Sequence, residues 1–128
     1  MTDASVLRPD FLASKRILVV EDEFLIALDI ERILENHTRE LVAVGRNRDA
    51  LGALQGDRFD LAILDYMLDG DTSAAVADRL SEMAVPFIFL TGASTEIVPA
   101  RFRGVPVVAK PFDAETLIGA LKKAIERV

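Results

Sequence analysis

Residues 17–34 read ILVVEDEFLIALDIERIL, and this stretch decides the fold. Its first four residues are all apolar, which is typical of a strand buried on both faces. The acidic triplet Glu21-Asp22-Glu23 follows, and apolar residues then recur at Ile26, Ile30 and Ile33 with the spacing of one helix face. The stretch therefore predicts a buried strand, a charged turn and an amphipathic helix.

The same alternation of strand and helix continues along the rest of the chain. Four more strands are predicted, at residues 41–44, 61–64, 87–90 and 105–109. Helices are predicted at residues 48–54 and 73–83 and after the N-cap residue Asp113, while residues 94–103, with Pro99 among them, are ambiguous and predict at most a short helix. Strands that alternate with helices are joined by right-handed crossovers, so we expect an α/β three-layer sandwich around a five-stranded parallel sheet.

The composition bounds the classes of function. The chain has 128 residues, enough for one domain, and 51% of them are hydrophobic, as in a packed globular protein. Its 15 basic and 21 acidic residues give a formal net charge of -6, and no run of Lys and Arg stands out, so we expect no direct nucleic-acid binding. The absence of cysteine excludes disulfides, thiolate zinc sites and cysteine nucleophiles.

Hydropathy bears on location and on the amino-terminal residues. No apolar run approaches the roughly 20 residues that a membrane span needs, and residues 1–14 lack the features of a secretory signal. We therefore expect a cytoplasmic protein that does not contact membranes. Residues 1–14 carry no sustained period and are predicted to form an irregular lead that docks through Leu7, Phe11 or Leu12, followed by one domain at residues 15–128.

Polar residues follow four of the five predicted strands. Glu21 and Asp22 come after the first strand, Asp65 after the third, Thr91 after the fourth and Lys110 after the fifth. Ligands of open parallel sheets bind beyond the carboxyl ends of the strands, so these side chains are expected to share one site. Taken singly, each is as well explained by a solvated turn or a helix cap, and the ordered set carries the prediction.

The chemistry of this set predicts a magnesium site that handles a phosphoryl group. Three carboxylates at one sheet edge repel one another, and Mg²⁺ takes oxygen ligands without needing histidine or thiolate. A metal between Asp22, Asp65 and a phosphoryl oxygen would neutralise charge as an aspartate attacks phosphorus. Lys110 and the Thr91 hydroxyl could contact the remaining phosphoryl oxygens.

Over residues 16–128 the sequence resembles the receiver domain of two-component response regulators. The motifs that carry the resemblance are ILVVEDE, LAILDYML, FLTG and VVAKPF. The resemblance implies a flavodoxin-like doubly wound sheet with strand order 2-1-3-4-5. It also implies a site made of the phosphoacceptor Asp65, the direct metal ligand Asp22 with Glu21 behind it acting through water, the backbone carbonyl of Met67 as a further metal ligand, the switch hydroxyl of Thr91 and the phosphate-pairing Lys110.

The chain departs from the family pattern at several positions. Val107 stands where most receivers carry an aromatic residue in the fifth strand, so the usual coupling of the switch hydroxyl to an aromatic ring cannot operate in its standard form. The turn after the acceptor is Leu68-Asp69-Gly70-Asp71. The stretch PFIFLTGAS resembles the PFxFxTGY-like motif of a receiver subgroup that often stands alone, with Ala93 in place of the motif's aromatic.

The resemblance implies a single-domain response regulator that a sensor histidine kinase or a histidine phosphotransfer protein phosphorylates on Asp65 with Mg²⁺. We expect it to signal by binding a partner protein, with homodimer formation left open, or to act as a phosphate sink. We expect no enzyme activity beyond its own phosphorylation and dephosphorylation. The cognate kinase and the downstream target are not encoded in any pattern of the sequence.

Two alternatives remain open at the level of sequence. An aspartyl-phosphate phosphatase-like enzyme would use a similar nucleophile but requires a second Asp two residues after it, where this chain has Met67. A flavodoxin-like module for a nucleotide or flavin requires a Gly-, Ser- or Thr-rich phosphate loop after the first strand. In that place Glu21-Asp22-Glu23 would repel a phosphate unless a metal intervened.

Overall fold

A parallel sheet of five strands forms the centre of the protein in the computed structural model, which describes residues 9–92 and 98–127. The strands of this sheet are β1 (Arg16–Val20), β2 (Glu40–Val44), β3 (Leu61–Asp65), β6 (Phe87–Thr91) and β7 (Val107–Ala109), while β4 and β5 form a separate hairpin described below. The strand order is β2-β1-β3-β6-β7, which confirms the predicted flavodoxin-like topology. All four neighbouring pairs run parallel, so their carboxyl ends meet at one edge.

Helices cover both faces of the sheet, which explains why its strands are continuously apolar. They are α1 (Phe24–Leu34), α2 (Asn47–Gly56), α3 (Ala74–Glu82) and α4 (Ala114–Arg127). Ile17 and Val19 of β1 pack with α1 and α4, whereas Leu18 and Val20 pack with α2 and α3. Successive strand residues point to opposite faces, so burial of both faces requires an apolar residue at every position.

The connection between β6 and β7 differs from the prediction. Among residues 98–103 the chain forms a short 3-10 helix, Ala100–Phe102, and Pro99 precedes it at the N-cap, so the expectation of Pro99 inside a helix is wrong. Proline lacks an amide hydrogen, so it is tolerated at the start of a helix but not in its interior, where that hydrogen would be bonded. Strand β7 is also shorter than predicted, because the Val105 amide closes the preceding turn on the Phe102 carbonyl. Residues 93–97 lie outside the described part of the chain.

Within the amino-terminal segment, Asp10–Leu12 forms a 3-10 helix, where an irregular lead was expected. Leu12 is fully buried, and Phe11 packs against the core that α1 and α4 share with the sheet. Leu7, the third predicted docking residue, lies outside the described residues. The boundary at residue 15 remains a prediction. Within residues 9–92 and 98–127, no helix has the length and apolar character needed to cross a bilayer.

A small hairpin after β3 was not predicted. Its strands β4 (Met67–Leu68) and β5 (Asp71–Thr72) pair in antiparallel fashion around Asp69 and Gly70. Gly70 has a φ of 76°, a conformation that other residues adopt only with strain. The Asp-Gly dipeptide is a known hairpin signal, and its location directly after Asp65 places the hairpin at the edge where the site lies.

Candidate functional site

The carboxyl edge of the sheet brings the predicted site residues together. Asp65 ends β3 and Thr91 ends β6, while Glu21 and Asp22 directly follow β1 and Lys110 directly follows β7. In the strand register Val20 is opposite Leu64 and Thr91 is opposite Ala109, so the residues that follow leave the sheet at the same level. The parallel topology thus converts distant sequence positions into one cluster.

Three carboxylates form the acidic part of the site. One oxygen each from Glu21, Asp22 and Asp65 lies within 4.8 Å of the other two. Glu21 and Asp65 are buried and Asp22 is exposed. Hard oxygen donors at this spacing, with one side open to solvent, suit a divalent cation such as Mg²⁺.

The ionised form of Glu21 is unfavourable in this cluster. Burial, to which the Asp65 charge adds, raises the pKa of the Glu21 carboxyl to about 7. Its buried Oε2 atom is ion-paired with Lys110 Nζ at 3.1 Å but accepts no well-directed hydrogen bond from the described residues. The Lys110 ammonium carries one positive charge against the three carboxylates, and a divalent cation would offset the remaining negative charge. The donor set therefore fits a bound Mg²⁺.

Lys110 supplies the positive charge of the site. Its ammonium group donates a hydrogen bond of 2.8 Å to Asp65 Oδ2, and it lies 3.9 Å from Glu23 Oε1. Burial opposes the charged form, but the adjacent carboxylates of Asp65 and Glu21 outweigh it and raise the pKa of Lys110 above its ordinary value. Lys110 therefore stays protonated at neutral pH and is ready to pair with an anion at Asp65.

Backbone amides hold two of the carboxylates in place. The Asp69 amide in the hairpin donates to Asp22 Oδ2 at 2.8 Å. The Glu23 amide donates to Glu21 Oε1 at 3.0 Å. Sequence reasoning missed the contribution of Asp69, and the Asp-Gly turn was the signal that could have revealed it. The hairpin thus fixes the orientation of an exposed aspartate that would otherwise sample several rotamers.

Thr91 and Met67 occupy the margins of the site. The Thr91 carbonyl accepts a 2.8 Å hydrogen bond from the Lys110 amide, which ties the ends of β6 and β7 together. Met67 begins β4, two residues after Asp65, and is 42% exposed. The switch role of the Thr91 hydroxyl and the metal contact of the Met67 carbonyl remain predictions.

An aromatic cluster lies directly behind the site. Tyr66, next to Asp65, is buried and meets Phe89 edge to face at 5.5 Å. Phe89 in turn meets Phe102, from the 3-10 helix between β6 and β7, at 5.4 Å. Val107, in contrast, is 49% exposed on the edge strand β7. The aromatic contacts of this protein therefore run behind β3 and β6 and not through β7.

Comparisons with known proteins agree with this arrangement. The family model of the response regulator receiver domain matches residues 17–122. Regulatory protein VanR of Enterococcus faecium is 31% identical over 120 residues, which cover 89% of this chain and 51% of that protein. Transcriptional regulatory protein TcrA of Mycobacterium tuberculosis is 36% identical over 119 residues, covering 88% of this chain and 46% of the relative. The chain thus spans about half the length of these curated relatives.

Solved structures of other proteins have a similar fold. The solution structure of SdrG from Sphingomonas melonis Fr1 is 38% identical, with a TM-score of 0.77 and coverage of 88% of this chain and 97% of that one. The PhyR stress response regulator is 27% identical, with a TM-score of 0.72, and the match covers 95% of this chain and 49% of that one. With the family model matching most of its length and the acidic cluster and lysine at the expected strand ends, the chain belongs to the response regulator receiver domain family.

Proposed function

We propose that this receiver domain accepts a phosphoryl group on Asp65 from a phosphohistidine of a sensor histidine kinase or a histidine phosphotransfer protein. The observation that carries the proposal is the environment of Asp65. Its carboxylate is buried at the carboxyl edge of the sheet, bonded to Lys110 at 2.8 Å and clustered with Glu21 and Asp22. Such a group is shielded from bulk water and is flanked by charge of both signs.

The proposed transfer follows from these contacts. An Asp65 oxygen forms a bond to phosphorus while the bond from phosphorus to the histidine nitrogen breaks. The histidine nitrogen keeps the electron pair, and the ring leaves as neutral imidazole with one proton that it already carries or takes up from water. Lys110 shifts its pairing from the free carboxylate to a phosphoryl oxygen. Asp22, Asp65 and the Met67 carbonyl would hold Mg²⁺, with Glu21 acting through water, and the bound ion would neutralise charge on the phosphoryl oxygens.

The output of the domain belongs to the same proposal. The Thr91 hydroxyl turns toward the new phosphoryl group, and the connection from β6 to β7 follows it. The changed surface binds a partner protein or a second copy of the chain, or the domain serves as a phosphate sink. We propose no catalytic activity apart from self-phosphorylation and self-dephosphorylation, no direct contact with nucleic acid, and a cytoplasmic location beside the kinase.

Intact-mass measurement tests the proposal. Incubation with Mg²⁺ and acetyl phosphate, or with a phosphorylated histidine kinase, is expected to add one acid-labile phosphoryl group. Asp65→Asn should abolish the gain because an amide is not a competent nucleophile, while the control Asp49→Asn, at an exposed position of α2, should retain it. Undiminished labelling of Asp65→Asn, located by peptide mapping at another residue, would overturn the assignment.

A further inference from the structure

The Glu23 side chain does not serve the helix that it precedes. Glu23 occupies the N-cap of α1, but within the described residues its carboxylate makes no capping hydrogen bond. The backbone satisfies these amides instead, because the Glu23 carbonyl accepts hydrogen bonds from the amides of Ile26 and Ala27. N-caps favour short side chains that can reach these amides, and Glu is not among them. The carboxylate instead extends toward Lys110.

Glu23 lies close to the acceptor, Asp65. Its side chain is 65% exposed, and its Oε1 atom is 3.9 Å from Lys110 Nζ, which is itself 2.8 Å from Asp65 Oδ2. These distances place a full negative charge within about 7 Å of the acceptor oxygen, less than the Debye length at physiological salt. Glu23 and Asp29 also line an open pocket of about 340 Å³ that reaches Lys110, so two carboxylates border the space beside this lysine.

We propose that Glu23 determines which phosphodonors react with Asp65 by repelling donors of high negative charge. The inference rests on the proposed function. Acetyl phosphate is a dianion at neutral pH, whereas phosphoramidate carries one net negative charge. Glu23 therefore disfavours a doubly charged donor relative to a singly charged one.

Both donors transfer the phosphoryl group to the same Asp65 oxygen, but they differ in leaving group as well as in charge. The effect of Glu23 is therefore measured for each donor as the rate of the variant relative to that of wild type. With acetyl phosphate, an Asp65 oxygen bonds to phosphorus and acetate leaves with the electron pair of the broken P–O bond. With phosphoramidate, the P–N bond breaks and the nitrogen, already protonated, leaves as ammonia. At about 7 Å in a water-like dielectric, one fixed charge changes the rate by roughly threefold per unit of donor charge at low ionic strength.

The experiment compares wild type, Glu23→Gln and the control Glu35→Gln, which removes an equal charge at the far end of α1. Initial rates of phosphoryl uptake are measured by intact mass with both donors, at low and high ionic strength. Glu23→Gln should increase the initial rate of phosphoryl uptake about threefold with phosphoramidate and about tenfold with acetyl phosphate. Both increases should become smaller as the salt concentration rises. Glu35→Gln should match wild type. Asp29→Asn should shift the donor ratio in the same direction.

The outcomes separate this inference from the function on which it rests. If neither small donor nor a phosphorylated histidine kinase labels wild-type protein, the proposed phosphoacceptor function fails. If both small donors label it but Glu23→Gln changes the two rates by the same factor, Glu23 acts by positioning Lys110 and the charge proposal is overturned. An unchanged ratio in a variant that keeps the wild-type melting temperature overturns it equally, because loss of fold then cannot explain the result.

Discussion

Replacing Lys110 by Met should lower the free energy of unfolding, because the acidic cluster then loses its positive charge. The ammonium group pairs with Asp65 at 2.8 Å and Glu21 at 3.1 Å, and its side chain is only 12% exposed. The variant keeps the aliphatic stem but leaves two buried carboxylates without their cation. Breaking a buried ion pair by removing one partner costs about 3–5 kcal/mol. We expect a loss of about 3 kcal/mol in EDTA, at the low end, because Glu21 can take up a proton.

The loss should depend on pH in a defined direction. In wild type, burial raises the pKa of Glu21 from its ordinary value of 4.5 to about 7. Between these values the folded chain binds more protons than the unfolded chain, so the free energy of unfolding falls as pH rises. Removing Lys110, whose charge favours ionised Glu21, raises this pKa further and extends the window upward. The deficit of Lys110→Met should therefore be larger at about pH 8 than at about pH 6.

Urea denaturation in EDTA at both pH values measures these free energies, with Lys123→Met as the control at an exposed position of α4. Glu21→Gln added to Lys110→Met should recover part of the loss, because it removes one stranded carboxylate. Mg²⁺ should also recover part of it, since a ligand of the folded state stabilises by mass action. A deficit below about 1 kcal/mol, or one that shrinks with rising pH, would refute the reasoning.

Further predictions test the metal site, the switch and the core. Mg²⁺ should raise the melting temperature of wild type, and Asp22→Ala should remove most of this gain; equal shifts in both proteins would count against the site. With beryllofluoride as a phosphoryl mimic, the largest changes in backbone amide chemical shift should fall in residues 92–103 and not at Val107. Residues 93–97 of this loop lie outside the described structure. If the amide shifts of the loop do not change, the output surface lies elsewhere. Phe89→Ala, at a fully buried ring, should lower the free energy of unfolding by about 3–5 kcal/mol in thermal or urea denaturation, and a loss under about 1 kcal/mol would contradict this view of the core.

The sequence determined the sheet, its topology class and the location of the site. Continuous apolar runs such as residues 17–20 follow from burial on both faces, and the structure shows neighbouring residues of β1 packing into the two separate cores. Polar residues that end such runs must meet at one edge in a parallel sheet, which is why Asp65 and Lys110 could be placed in one site from sequence although 45 positions separate them. Asp113 was likewise predictable as a cap, and its carboxylate accepts from the Thr116 amide.

Only the tertiary structure decided the contacts that tune this site. Three contacts depend on loop paths and rotamers: the hydrogen bond from the Asp69 amide to Asp22, the approach of Glu23 to Lys110, and the ion pair between Glu21 and Lys110. Local sequence does not specify these, because a turn residue has several solvated conformations of similar energy until neighbouring strands fix one of them. The sequence therefore determines which charged groups are present at this edge, and the packing of the sheet determines which of them are in contact and at what distance.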